Sequence, residues 1–439
     1  MKNILIFIFC LTIFNYEFVF PQLFSSEPII KVRIIYSLDS LNIVFNNNWS
    51  INDQPSDIRF DVSKNDSLLL SIKDNKISAK SIRTNAEFLF TNLQLVSDLQ
   101  SGTLKIRNVP YGIGWWWQGI EDRTYEGEIS ININQSNKFD VIVILPLEKY
   151  LCGVLPYEIG SDAPIEALKS QVIAARSETI SALISGKYKG DNYDLCADVE
   201  CQVFAGNNKR TDITDKAVYD TRALCLFYDD KVIGAYYASN CGGISENVEN
   251  VWPERSGPVP YWSSNFDSEI ALNFDPVNNT KEWIESTPDV FCNPAFHPEL
   301  PSWSKNNFRW QVELSNRELT QNLNKIKPIG TLKDIKVLER GKSGRIIKAK
   351  FFGNDDSLML TSELEIRKIK DPPFRSSCFV FEKYFNSDGD EFYQFNGAGW
   401  GHGVGMCQSG AVARAFAGQN YSEILIHYFP LTEIKSIYK

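Results

Sequence analysis

Glu158, Lys169 and Arg176 give one short stretch of the chain a carboxyl group and two cations that could converge on a single cleft. A carboxylic acid with a raised pKa is a general acid, and an arginine fork suits an anionic substrate. The elements that must position them can be read from spacing. A buried strand, Val141 to Leu145, ends at Pro146, and after a short turn YEIGSDAPIEALK opens a helix. Asp162 is placed to cap that helix and Pro164 falls in its first turn. Ile165, Leu168, Val172, Ile180 and Leu183 then recur at helical spacing. Arg176 stands on the same stripe, four residues from Val172 and four from Ile180. A guanidinium there must be paired or must line a cavity, because an unpaired buried charge is too costly. Lys169 lies two turns earlier on nearly the same side, and Glu158 precedes the helix, outside its periodicity.

A second stretch, GAGWGHGVGMCQSGA over residues 397–411, sets glycine at every second position from Gly397 to Gly405 around His402. It follows the apolar run EFYQF and leads into QSGAVARAFAG, so the order is strand, glycine loop, helix. That is the setting of a dinucleotide fingerprint, but GxGxGxG lacks the GxxG ending such a site requires. The loop shapes something other than a cofactor phosphate. Of the nine cysteines, only Cys196 and Cys201 lie close together. CxxxxC is within the range of zinc ligand pairs, and an exported chain also permits a local disulfide; two ligands alone do not make a metal site.

A chain of 439 residues is long enough for two or three domains. Its net charge of −9 argues against a nucleic-acid partner. The opening MKNILIFIFCLTIF has the layout of a secretory signal peptide, assigned to residues 1–24. Its apolar run is shorter than the ~20 residues of a spanning helix, and no later segment could cross a membrane. The expectation is an exported protein of the periplasm or cell-wall space, with no transmembrane segment in the mature chain. Residues 28–140 read as a β-rich domain of short alternating runs such as LNIVF, SLLLSI and TLKIRNV. Within it, alternation would send Trp115 and Trp117 to one face and Trp116 to the other, either sealing a domain interface or forming a stacking platform for sugar rings. Residues 141–439 read as a mixed α/β catalytic domain with a central helix, a glycine-rich C-terminal loop and an α/β insertion around 305–370. The fold class expected is α+β.

LPLEKYLCGVLPYEI…EALKSQVIAARSETI resembles the signature of the sporulation stage II protein D/LytB family. The likeness continues in order through DLCADVECQVFAG, AYYASNCGGISENVENVW, VPYW, the SGR of GKSGRIIKAKFFG and GAGWGHGVGMCQSGA, over roughly residues 124–435. The resemblance implies a lytic transglycosylase acting on peptidoglycan glycan strands stripped of peptide, with Glu158 as the catalytic glutamate and no cofactor required for the chemistry. A glutamic acid would protonate the departing oxygen, and its carboxylate would then take the proton of the C6 hydroxyl as that oxygen closes on C1. Lys169 and Arg176 would oppose a raised Glu158 pKa if they touched it. They are therefore expected to bind substrate, at the free lactyl carboxylate. Ser245 stands where relatives have a hydroxyl residue, Tyr261 matches a tyrosine at the cleft, and Ser263 replaces the family's lysine. His402 is either a substrate contact or a structural wedge in a loop packed against the catalytic helix. Some members bind zinc through two cysteines matching Cys196 and Cys201 and a preceding histidine, but KYKGDNYD contains none. The rival reading is a non-catalytic, glycan-binding enhancer of a cell-wall amidase. A thiol hydrolase using Cys241 or Cys407 has no histidine paired with either in local sequence: His297, His402 and His427 are the chain's three.

Overall fold

The computed structural model describes residues 23–53, 59–99, 101–115, 117–254, 257–270 and 272–439. Nearly all of the signal-peptide assignment, and Trp116, lie outside the described residues. The chain is α+β.

Its N-terminal part is built from two sheets, antiparallel except for one short strand. One runs in the order Leu195–Cys196, Ile29–Leu38, Phe139–Pro146, Glu128–Ile133, Leu93–Ser97, Trp49–Asp53, Arg59–Val62. The other has six strands, among them Ser40–Phe45 and Thr103–Tyr111. Alternation does what the sequence predicts: Leu41, Ile43 and Phe45 point inward while their neighbours stay partly open. They share one core with Val32, Val143 and Leu145 of the first sheet. The boundary read at 140/141 falls inside the strand Phe139–Pro146, which pairs with strands on both sides. Leu195 and Cys196 add to that sheet in parallel, so it draws chain from both sides of the boundary.

Two helices follow directly. Helix α1 (Leu147–Glu158) starts at the end of the sheet strand, and its last residue is the candidate acid. Helix α2 (Ile165–Ser185) follows the turn, with Pro164 in the capping position and no side-chain cap. Asp162, expected to cap it, does not, because the cap position falls two residues later, at Pro164. Gly186, at φ 64°, ends α2 in the left-handed region. Helix α2 is enclosed by α1, by α3 (Asp212–Asp220), by the strand Leu224–Tyr228 and by the C-terminal helices Gln408–Phe416 and Tyr421–Tyr428. A helix surrounded in this way is buried nearly all round, and twelve of its residues are.

A further α/β unit has its own core, including Leu319, Leu323, Phe351 and Phe395. It contains the region expected as an insertion, but its strand Arg309–Ser315 pairs with Glu391–Ala398, so the unit continues past residue 370. Among the described residues no helix is long and apolar enough to cross a membrane.

Candidate active site

Glu158 stands at the C-terminal end of α1, where the chain turns toward α2. Its Oε1 accepts a hydrogen bond from the Val203 backbone N–H at 2.8 Å. Its own carbonyl accepts from Gln408 Nε2 at 3.0 Å, and that amide also reaches Gln171 Oε1 on α2 at 3.1 Å. Desolvation lifts the Glu158 carboxyl to a pKa of about 7, against the partial opposition of the Val203 N–H and Tyr237. Among the described residues no lysine or arginine pairs with it. The residue still keeps part of its surface open. An enclosed carboxyl that is half protonated at neutral pH, fixed by one backbone donor and reachable from outside, has the properties of a general acid.

Polar groups that the sequence reading missed surround it. Tyr237 donates to Gln202 Oε1 at 3.0 Å, and Gln202 Nε2 is held by Ala175 O and Thr179 Oγ1 at 3.1 and 2.9 Å. Glu178 supplies a second carboxyl: after burial, the Glu158, Tyr150 and Glu178 charges together push the Tyr237 phenol upward. The chain passes close by at Gly234, where a Cβ would lie 2.9 Å from Glu178 Oε2 and 3.4 Å from the Trp262 ring. Gln171, Ala175 and Glu178, at helical spacings of four and three, were the available signal for this face of α2.

Arg176 corrects the sequence reading. It is wholly buried and bound to Glu148 of α1, Nε to Oε1 at 3.1 Å and Nη2 to Oε2 at 2.6 Å. Its remaining donors reach Leu224 O and Val218 O. Every direction of the fork is occupied, so it does not meet a substrate anion. Lys169 pairs with Glu166 at 3.0 Å and Asp220 at 3.6 Å. At 100° per residue, Lys169 and Arg176 lie about 160° and 140° round α2 from Gln171, away from Glu158. The stripe that carries them faces α3 and the core.

Ser245 is also engaged in structure. Its Oγ accepts from Asn265 N at 2.8 Å and donates to Asn265 O at 3.2 Å, locking the loop that carries Ser263. Tyr261 sits on the short turn Pro260–Trp262 and packs on Tyr228 with centroids 5.1 Å apart. Ser263 is exposed and bonds back to Pro260 O.

The glycine loop lies against residues 236–242 rather than against the catalytic helix as expected. Asn240 and Trp400 exchange backbone hydrogen bonds, and Tyr237–Ala238 pairs in parallel with Met406–Cys407. The alternating glycines let two backbones approach: at Gly405, φ 73°, a Cβ would sit 2.1 Å from Tyr236 O. His402 Nδ1 accepts from Val404 N at 3.0 Å. Burial, then the Arg345 and Arg367 charges, hold its pKa down at about 3, so the imidazole is neutral. It packs on Trp252 and Tyr236, in the role of a structural wedge. The rings form two groups: Tyr236 stacks on Trp262 at 4.8 Å beside Trp252 and His402, and Trp117, stacked on Trp115 at 5.2 Å, meets Trp400 of the glycine loop. Trp115 and Trp117 lie in the turn between the strands Thr103–Tyr111 and Gly119–Glu126, so strand alternation does not apply to them; they stack on each other through the turn and join the β-rich part to the loop.

Cys196 and Cys201 come together, with Sγ atoms 2.9 Å apart and Tyr188 Oη 3.2 Å from Cys201 Sγ. A structural zinc takes four ligands. Among the described residues no third His, Cys, Asp or Glu donor gathers here, so the donor set does not fit the zinc centre the resemblance implies.

The family model of stage II sporulation protein matches residues 135–228, which hold Glu158, α2 and the Cys196–Cys201 loop. A second model, of a domain of unknown function, matches residues 246–405. An uncharacterised protein of Brachyspira hyodysenteriae is 30% identical over 72% of this chain and 73% of its own length. The chain belongs to the sporulation stage II protein D/LytB family. The amidase enhancer of Bacillus subtilis is 30% identical over 65% of the chain, which spans only 40% of that longer protein. A stage II sporulation protein D of Bacillus amyloliquefaciens is 22% identical over 72% of the chain and 82% of its own length. Membership connects the protein with the cell wall.

Proposed function

We propose that the protein is an exported lytic transglycosylase of peptidoglycan that cleaves peptide-free glycan strands with Glu158 as its acid and base. The observation that carries this reading is the Glu158 carboxyl, desolvated to a pKa of about 7 and free of any cationic partner among the described residues. In the protonated form it gives its proton to the glycosidic oxygen as the C1–O bond breaks. The carboxylate left behind takes the proton of the C6 hydroxyl while O6 bonds to C1. The acid is regenerated, no water is consumed, and the product ends in a 1,6-anhydro ring. The partly open rings of Tyr236 and Trp252, and separately those of Trp400 and Trp117, offer flat apolar faces suited to the C–H faces of sugars.

Glu158→Gln keeps the shape and removes the transferable proton. It is expected to abolish cleavage while leaving glycan-strand binding and the folded state intact. Wild-type cleavage in this variant would remove Glu158 from the mechanism.

A second reading is favoured by the amidase enhancer relative and by Ser263 in place of the family's lysine. The protein would then hold glycan on the same aromatic rings and present it to an amidase. Stimulation of a cell-wall amidase that survives in Glu158→Gln supports that role.

A further inference from the structure

We propose that Cys241, Cys292, Cys407 and Asp267 form a structural site for a thiophilic divalent cation of the zinc class, separate from the Cys196–Cys201 pair. All four residues are buried, and their donor atoms lie within 4.8 Å of one another. Cys241 Sγ and Cys292 Sγ are 3.6 Å apart. Two thiolates bound at ~2.3 Å to a tetrahedral ion stand ~3.8 Å apart, so the sulfurs already hold the edge of such a tetrahedron.

The surroundings match a metal–thiolate centre rather than a set of apolar fillers. Cys407 caps the helix Gln408–Phe416, and its sulfur accepts from two backbone N–H groups, Cys241 N at 3.2 Å and Gly410 N at 3.4 Å. Asp267 is aimed by its own partners: Tyr428 Oη donates to Oδ1 at 2.7 Å, and Arg414 reaches the same oxygen through Nε at 3.3 Å and Nη2 at 3.2 Å. Among the described residues Oδ2 accepts one hydrogen bond, from the Cys292 N–H at 3.1 Å, and so keeps a lone pair for a ligand. Ligating carboxylates are characteristically oriented in this way by outer partners. Positive charge is also provided. Arg345 Nη1 donates to Cys241 O and Arg309 Nη1 to Gly242 O, and both guanidinium groups end on backbone carbonyls or the Ser343 hydroxyl instead of on carboxylates. Three thiolates and one carboxylate on a divalent ion carry net negative charge, which these cations would offset.

The topology gives the site a task. Between Ala238 and Arg309 the described residues form no strand, only the short helices Val248–Val251, Thr280–Glu285 and Ser302–Lys305 and the turn Pro260–Trp262. The four donors come from this stretch and from Cys407, so a bound ion would tie a region poor in regular structure to the glycine loop. Gln408, the next residue after Cys407, holds the Glu158 carbonyl. The ion would fix that neighbour without touching substrate.

The test uses the mature chain, expressed with zinc in the medium and purified under thiol reductant without chelator. Elemental analysis is expected to find one zinc per chain in the wild type and equally in the double variant Cys196→Ser/Cys201→Ser. Cys407→Ser should lower zinc content at least tenfold. If that variant does not fold, X-ray absorption of the wild-type zinc decides: three sulfurs and one lighter ligand are expected. Metal-free folded protein, zinc lost with Cys196 and Cys201, or a Cys241–Cys292 disulfide in peptide maps would each overturn the proposal.

Discussion

At the scale of single residues, two buried charged groups have opposite meanings. Arg176 and Glu148 satisfy each other, with Ala223 N and Tyr438 Oη completing the carboxylate's partners. Removing one member of such a pair leaves the other buried and uncompensated, at a cost of about 3–5 kcal/mol. Arg176→Ala should lose that much in chemical denaturation, and equally whether or not the substrate carries a free lactyl group. Retained stability with a loss of activity only on peptide-free strands would restore the substrate-binding role. Glu158 has no counter-ion, and its pKa is raised from 4.5 to about 7. The folded state therefore holds a proton that the unfolded state gives up, and this contribution to stability, complete below pH 4.5, is lost as pH rises through 7. Glu158→Gln should match the wild type in melting temperature at pH 4 and exceed it at pH 8. Wild-type cleavage should fall about tenfold per pH unit above 7, as the acid form disappears. For Cys196 and Cys201 the export proposed for this protein would favour a local disulfide. Both should resist alkylation in the denatured, unreduced protein, and free thiols at both positions would refute the bond.

At the scale of elements, apolar periodicity located α2 and marked its stripe correctly. It could not say which neighbour the stripe would meet. A helix buried nearly all round has several faces, and the cations at 169 and 176 lie on those turned toward α1, α3 and Glu166, while Gln171 and Glu178 face the candidate site. A neutral amide, Gln171, and an acid, Glu178, at spacing seven were present in the sequence, but without the positions of Val203, Tyr237 and Gln408 nothing singled them out. The glycine loop shows the same limit. Its alternation announced close backbone approach, and the approach is real, but the partner is the segment 236–242. Gly405→Ala tests that geometry, since the new Cβ would meet Tyr236 O at 2.1 Å with φ at 73°. It should lower the melting temperature clearly, by the ~1–3 kcal/mol of a strained backbone position, whereas an unchanged melting temperature would mean the two backbones are not so close.

At the scale of the molecule, the fold class and the place of the candidate acid were legible because both rest on local pattern and an ordered series of motifs. What was not legible depends on long-range meetings. The β-rich part shares its sheet with Leu195–Cys196, and three widely separated cysteines converge with Asp267. Trp117 reaches Trp400 across 283 residues of chain. The Trp117–Trp400 contact joins the β-rich part to the glycine loop, and Gln408, just past that loop, holds the Glu158 carbonyl at the end of α1. Glu178 stands near Tyr237, so that a second carboxyl lies in the same neighbourhood. The measurement that decides most directly is mass spectrometry of purified, peptide-free glycan strands after incubation with the mature protein. Fragments ending in 1,6-anhydro-muramic acid, absent with Glu158→Gln, are the expected result. Fragments heavier by one water, with ordinary reducing ends, would contradict the single-glutamate account and point to a hydrolysis in which Glu178 activates water.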